Sequence, residues 1–360
     1  MMDASHKVIP LQLYPAGFVE GFLRHGVSLK KLLQGTDISE QQFDQPNQFI
    51  SYAQQLRLLK NGLQHCEVPG IGLRIGLELD WCFHGSVGYV VHCSPSLRDA
   101  EEAFLRYQMI AQPFYALSVG KPLGYIGNDG RFVYPLRCFP SPHADQQMLQ
   151  FELEFRLAIT VRHWAACGNH QVADSRILAE LACPRPTYAA LFRELPCEPV
   201  RFGARQSLMS IHQDFRSQPS RPWRAQAFRH LVEHCEAELQ VAGLVPTQSD
   251  AVRSQISLHF NRELARAGTG HAASLPDLAS VAAALQLSPR VLSRRLSAEG
   301  TSFRELLQQV RLRFCLYQLR VSPLSVEAIA ELTGFGAVSS LRRAVKQATG
   351  QPISALRAKN

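Results

Sequence analysis

Arg290, Ser293, Arg294 and Ser297 recur at i, i+3, i+4 and i+7. In a helix, that spacing gathers the four side chains on one face. A guanidinium donates bidentately to O6 and N7 of guanine, and a serine hydroxyl serves base edges or phosphates, so the face carries major-groove chemistry. For an isolated helix, a solvated charged face is the alternative. A second stripe of the same character, Ser339, Ser340, Arg343 and Lys346, lies near the end of the chain.

Both stripes need helices, and their flanks carry helix signals. Leu278, Val281, Ala282 and Leu285 form an apolar periodic stretch that breaks at Gln286 and Leu287. Ser288-Pro289 then opens the next helix, because serine caps free amides and proline at the first helical position loses no hydrogen bond. A break of this length predicts two crossed helices, a helix-turn-helix. Opposite the Arg290 stripe fall Leu292, Leu296 and Glu299.

Ser302 and Glu305 form a capping box, and Phe303, Leu306, Leu307, Val310, Phe314 and Tyr317 continue an apolar stripe to about Leu319. That helix is a rod of roughly 27 Å. The first pattern then returns. Leu324 to Thr333 is a short amphipathic helix around Val326, Ile329 and Ala330, Gly334 closes it and Phe335 fills the turn. A last helix from near Ala337 turns Leu341, Ala344, Val345 and Ala348 inward. Two heads on a stiff rod suit two major-groove segments on one face of B-DNA, ~34 Å apart.

Charge is distributed accordingly. The 360-residue chain has a net charge of +8. From Asp250 onward there are fifteen Lys and Arg against seven Asp and Glu, whereas the first 249 residues balance at 23 of each. A basic end segment is the footprint of phosphate neutralisation, although solubility also accounts for a charge of this size.

From about Ser249 to Arg357 the chain resembles the DNA-binding domain of the AraC/XylS family of regulators, carried by LSPRVLSRRLSAEGTSFRELL and SVEAIAELTGFGAVSSLRRAVK. The resemblance implies a first recognition helix over Pro289 to Ala298, with Arg290, Ser293 and Arg294 facing bases. It implies a second over Ala337 to Gln347, with Val338, Ser339, Ser340 and Arg343 in the corresponding places. Where the family usually has Phe-x-Arg-Ala-Phe, a basic residue and tryptophan, this chain runs from Leu341 to Ala348 without an aromatic. Pro352 comes one residue early, with Ile353 in the usual proline place. The lost aromatics thin the core behind the second head by ~1 to 3 kcal/mol unless something compensates. Gln286 stands where a turn glycine is common.

The first two thirds read as mixed helix and strand. Short helices are expected around Arg57 and from Leu29 to Gln34, with longer ones over Leu97 to Met109 and Gln147 to Trp164. Leu123 to Leu136 reads as a hairpin turning at Asn128-Asp129-Gly130. This region resembles the arabinose-binding-like N-terminal domain of one branch of the same regulators, through Leu33-Gln34-Gly35-Thr36, Phe43-Asp44-Gln45-Pro46, the glycine run from Gly72 to Gly76, the stretch from Gly85 to Tyr89, that from Ser94 to Ala100, and Val200 to Ala204. The resemblance implies a domain that binds small effectors or dimerises, without making arabinose the ligand.

Enzyme signatures fail on spacing. The run from Gly70 to Gly76 is one residue too long for a dinucleotide fingerprint, Gly85-Ser86-Val87-Gly88 is not a nucleophile elbow, and Gly120-Lys121 lacks the upstream glycine of a phosphate loop. The spacings of His84, His92, His143 and His163 match no helix-borne metal pair. Trp81, Phe83, Phe114, Tyr115 and Trp164 are read as structural core, with a ligand cavity as the alternative. Nine scattered cysteines without a CxxC pair point to reduced thiols, most of them buried.

The expectation is an α+β regulatory domain over residues 1–216, a linker helix region over 217–248 that links or dimerises, and an all-α double helix-turn-helix domain over 249–360. No catalytic residue, metal or cofactor is assigned, and no effector site is named. The expected partners are double-stranded operator DNA, a small-molecule effector, a second copy of the chain and RNA polymerase. With no membrane span or signal peptide legible, the expected compartment is the cytoplasm.

Overall fold

The computed structural model describes residues 5–112, 124–127, 129–136, 145–167, 177–241, 247–267 and 273–357. The N-terminal part begins with β1 (Lys7–Pro10), α1 (Tyr14–Arg24), α2 (Leu29–Leu33), β2 (Phe49–Ser51) and α3 (Tyr52–His65). β1 and β2 pair antiparallel, and Ser51 and Gln54 close a capping box at the start of α3.

Next come α4 (Ile71–Glu78), α5 (Ser86–His92) and α6 (Leu97–Ala111), with Ser96 capping α6 through the amide of Asp99. The long α7 (Gln146–Cys167) packs against α4 at very close range. A Cβ on Gly72 would lie 2.4 Å from the Phe151 carbonyl oxygen, and one on Gly76 2.7 Å from that of Phe155. The glycine run thus serves helix packing: with glycines four apart, one face of α4 lies bare against α7. Phe18, Phe22, Phe151 and Phe155 fill the core beside this contact.

A five-stranded sheet shares this core. Its strands are β3 (Tyr125–Ile126), β4 (Arg131–Pro135), β5 (Ile177–Leu181), β6 (Arg201–Phe202) and β7 (Leu208–His212), in the order β3-β4-β7-β5-β6. All neighbours are antiparallel except β5 and β6. The expected hairpin is β3-β4, with Gly130 at φ +75° in its turn; Leu123 and Asn128 lie outside the described residues.

After α8 (Gln213–Arg216), the helix α9 (Ala225–Val241) lies on α5 and α6. Cys235 and Leu239 join Val87, Val90 and Tyr107 in a second core, so α9 packs as part of the N-terminal unit. Trp223, in the expected linker region, precedes this helix and is exposed.

The C-terminal part is all helical: α10 (Gln248–Arg266), α11 (Leu278–Ala284), α12 (Pro289–Ala298), α13 (Phe303–Val321), α14 (Val326–Leu332), α15 (Val338–Thr349) and α16 (Ile353–Arg357). Two small cores share the rod α13. Leu306, Val310 and Phe314 serve the core with α10, α11 and α12, while Cys315 and Leu319 serve the one with α14, α15 and α16. Burial pushes the thiols of Cys167, Cys235 and Cys315 up to about 11, as befits small core residues. Among the described residues, no helix is long and apolar enough to cross a membrane.

Candidate nucleic-acid interface

The first head is assembled by local hydrogen bonds. Asp277 caps α11 by accepting from the Ser280 amide at 2.7 Å. The turn then passes through Gln286 at φ +57°, a left-handed conformation that explains why glycine is common there. Ser288 accepts from the Val291 amide at 3.3 Å, and Pro289 begins α12. Leu292 and Leu296 are buried, so Arg290, Ser293, Arg294 and Ser297 are left exposed together.

Glu299 departs from its expected place on the apolar side. It is exposed, and its carboxylate accepts from the amides of Gln248 at 2.7 Å and Ser249 at 2.8 Å, and from the Ser249 hydroxyl. It therefore caps α10 from the end of the first recognition helix. Burial raises its pKa, but the bonds from Ser249 and Gln248 outweigh that and hold it below the usual value. Arg295, on the same helix, donates to the Gln248 side chain at 3.0 Å and adds a second brace.

The second head repeats the plan. Ser325 caps α14 through the Ala328 amide at 3.0 Å, and Gly334 turns the chain at φ +65°. Arg311 of the rod lies 3.7 Å from the Phe335 ring centre and donates to the Gly334 carbonyl at 2.6 Å. The turn is thereby tied to the rod.

On α15, Leu341 and Val345 are buried while Ser339, Arg343 and Lys346 are exposed. Three positions differ from expectation. Val338 is half-buried and packs on the adjacent core, and Ser340 is half-buried. Ala348 is exposed rather than inward, because the core at that end is filled from α16 by Ile353 and Leu356. Those two side chains complete the second core, and Arg357 donates to the Leu324 carbonyl beside it. Arg313, by contrast, is half-buried, and burial and Arg253 push it down to about 10.

Both heads reach the N-terminal part through their shared supports. The Tyr317 hydroxyl of α13 donates to the Leu136 carbonyl at 3.1 Å, and Leu258 of α10 packs with Tyr125 and Val133 of the sheet. Sequence reasoning gave no role in these braces to Glu299, Arg311 or Tyr317. The only legible signal was a charged or polar residue on an otherwise apolar helix face.

Among the described residues, no group of His, Cys, Asp and Glu is arranged to hold a metal. His84 and His163 are buried against Trp81, with ring centres 4.8 and 5.0 Å away, while His92 is exposed. Phe83 packs at Gly17. Trp164 is buried in the main core and Trp81 packs against it, and both also line a small cavity. His143, Phe114 and Tyr115 lie outside the described residues.

Residues 26–220 match the family described as the arabinose-binding domain of AraC transcription regulators, N-terminal, and residues 281–359 match a helix-turn-helix domain. The chain belongs to the AraC family of transcription regulators. The ornithine utilization regulator of Pseudomonas aeruginosa is 26% identical over 344 residues, covering 94% of this chain and 95% of its own. The regulator VirS of Mycobacterium tuberculosis is 24% identical over 310 residues, covering 84% and 83%. The crystal structure of the transcriptional regulator CdpR from Pseudomonas aeruginosa aligns with 17% identity and a TM-score of 0.38, covering 84% of this chain and 90% of that one. The protein is therefore a DNA-binding transcription regulator with an N-terminal effector-binding domain, and not an enzyme.

Proposed function

We propose that the regulator reads two successive major-groove segments of a duplex with one chain. Arg290, Ser293, Arg294 and Ser297 on α12 form one reading ridge; Ser339, Ser340, Arg343 and Lys346 on α15, with Val338 at the helix start, form the other. The observation that carries this reading is the repeated pattern of burial: two leucines fix α12 and Leu341 with Val345 fix α15, each leaving an Arg/Ser face open. The rod between them has 19 residues, about 28 Å of helix, which suits heads separated by one turn of B-DNA.

The proposed division is a regulatory domain over 1–216, a linker region over 217–248 whose helix α9 rides on the regulatory domain, and the DNA-binding domain from 249. Control by a small effector or by pairing of two chains would act through the contacts at Tyr317 and Leu258, and only by a difference in affinity between docked and released arrangements. Two chains would grip repeated half-sites, with RNA polymerase as a neighbour at the promoter. Sequencing the genomic fragments retained by the purified full chain tests the reading. A shared motif with two blocks about 10 base pairs apart supports it, and fragments without a common motif contradict it.

A further inference from the structure

The N-terminal domain holds a partly open cavity of about 140 Å³ where α6, α7 and β4 meet. Trp81, Phe104, Phe132, Tyr134 and Trp164 supply aromatic walls, and Ala100 contributes a small face. Trp81 is fixed by its indole N–H, which donates to the Ile159 carbonyl at 3.1 Å, and it meets Phe104 edge-on at 4.9 Å. Such a rigid box loses little entropy on filling.

Its polar end is a single ion pair. Arg216 Nε donates to Glu101 Oε2 at 2.5 Å, and the guanidinium lies 3.8 Å from the Phe132 ring centre. Glu101 Oε1 is buried and has no hydrogen-bond partner among the described residues. Leaving such an oxygen unsatisfied is costly, so a bound donor group would recover that cost. Burial raises the pKa of the Glu101 carboxyl, and the paired Arg216 guanidinium opposes that rise. His163, also on the wall, is pushed by burial down to about 3 and stays neutral. Among the described residues on the wall, the one guanidinium, Arg216, is thus committed to Glu101 rather than free to neutralise an anion.

We propose that this cavity is the regulator's effector site and that it takes a small aromatic molecule bearing one hydroxyl or amino group, with the ring among Trp81, Phe104 and Trp164 and the donor on Glu101. The volume is close to that of an engineered apolar cavity that admits benzene, which limits the ligand to roughly six to ten heavy atoms. Phe132 and Tyr134 belong to β4, and two residues beyond Tyr134 the Leu136 carbonyl receives the Tyr317 hydroxyl. Occupancy is thus felt at the anchor of the rod. The assignment rests on the effector-controlled reading above, but the binding step is testable without it.

Titration calorimetry on the full chain with phenol, aniline, benzene and benzoate tests the site. Phenol and aniline are expected to bind about tenfold tighter than benzene, with benzoate weakest. Ala100→Ile, checked for a native circular dichroism spectrum and thermal transition, fills the box and abolishes binding. Glu101→Gln, a second variant should the first not fold, reduces the phenol-to-benzene ratio. If wild type takes up none of the four probes, or if binding is indifferent to both variants, the site is wrong. If phenol binds as described but leaves affinity for the retained genomic DNA unchanged, the site stands and effector control through it falls.

Discussion

The Tyr317 hydroxyl, on the rod that carries both DNA heads, donates to the Leu136 carbonyl at the end of β4 across 3.1 Å. These residues are 181 positions apart in sequence, and their bond couples the regulatory sheet to the reading heads. Tyr317→Phe keeps the ring and removes the bond, at a cost of about 1 kcal/mol. Amide exchange in β4 and the C-terminal half of α13 should accelerate about fivefold, with α12 unchanged. Unaltered exchange in both segments would show that the contact bears no load.

Gln286 holds a left-handed backbone conformation that a side chain resists. Gln286→Gly should therefore stabilise the DNA-binding domain by about 0.5 kcal/mol, the relief of strain being offset in part by the freer unfolded chain. Gln286→Ala should give no gain. Denaturant midpoints of the two variants check this; equal midpoints would contradict it.

Glu299 caps α10 from outside that helix, and its carboxyl is held below its ordinary value of 4.5. A depressed acid stabilises fully above its unfolded pKa and loses the contribution as pH falls through the lower folded value. Discounted for solvent screening, Glu299→Gln should cost about 0.5 to 1 kcal/mol at pH 7. The gap to wild type should narrow below about pH 4.5 as wild type loses its charge. A gap that stays constant on acidification would mean that the charge plays no part.

These cases also show what the sequence could and could not disclose. The heads were legible because their determinants are local: Ser288-Pro289, Ser302 with Glu305, and leucines at helical spacing act within one or two turns. Gly334 and Gln286 marked the turns for the same reason. The exposure of Ala348 was not legible, since it depends on Ile353 and Leu356 returning from α16 to fill the core. Of the aromatic box, Trp81 and Trp164 were legible as candidates, but Phe104, Phe132 and Tyr134 join them only through the fold of α6, α7 and β4. In the glycine run from Gly70 to Gly76 the spacing excluded one chemistry, but the partner α7 was needed to show what the glycines do.

The central claim is that α12 and α15 each read bases, and base-by-base binding on the retained genomic site tests it most directly. Arg294→Ala should cost about 1 to 3 kcal/mol and relax preference at one base position, and Arg343→Ala should do the same at a position about one helical turn away. Lys346→Ala should instead weaken all sequences alike and lower the salt slope by about 1. Two separated losses of preference on one duplex face are the predicted result. Preference lost at only one block, or retained in full by both arginine variants, would contradict the account.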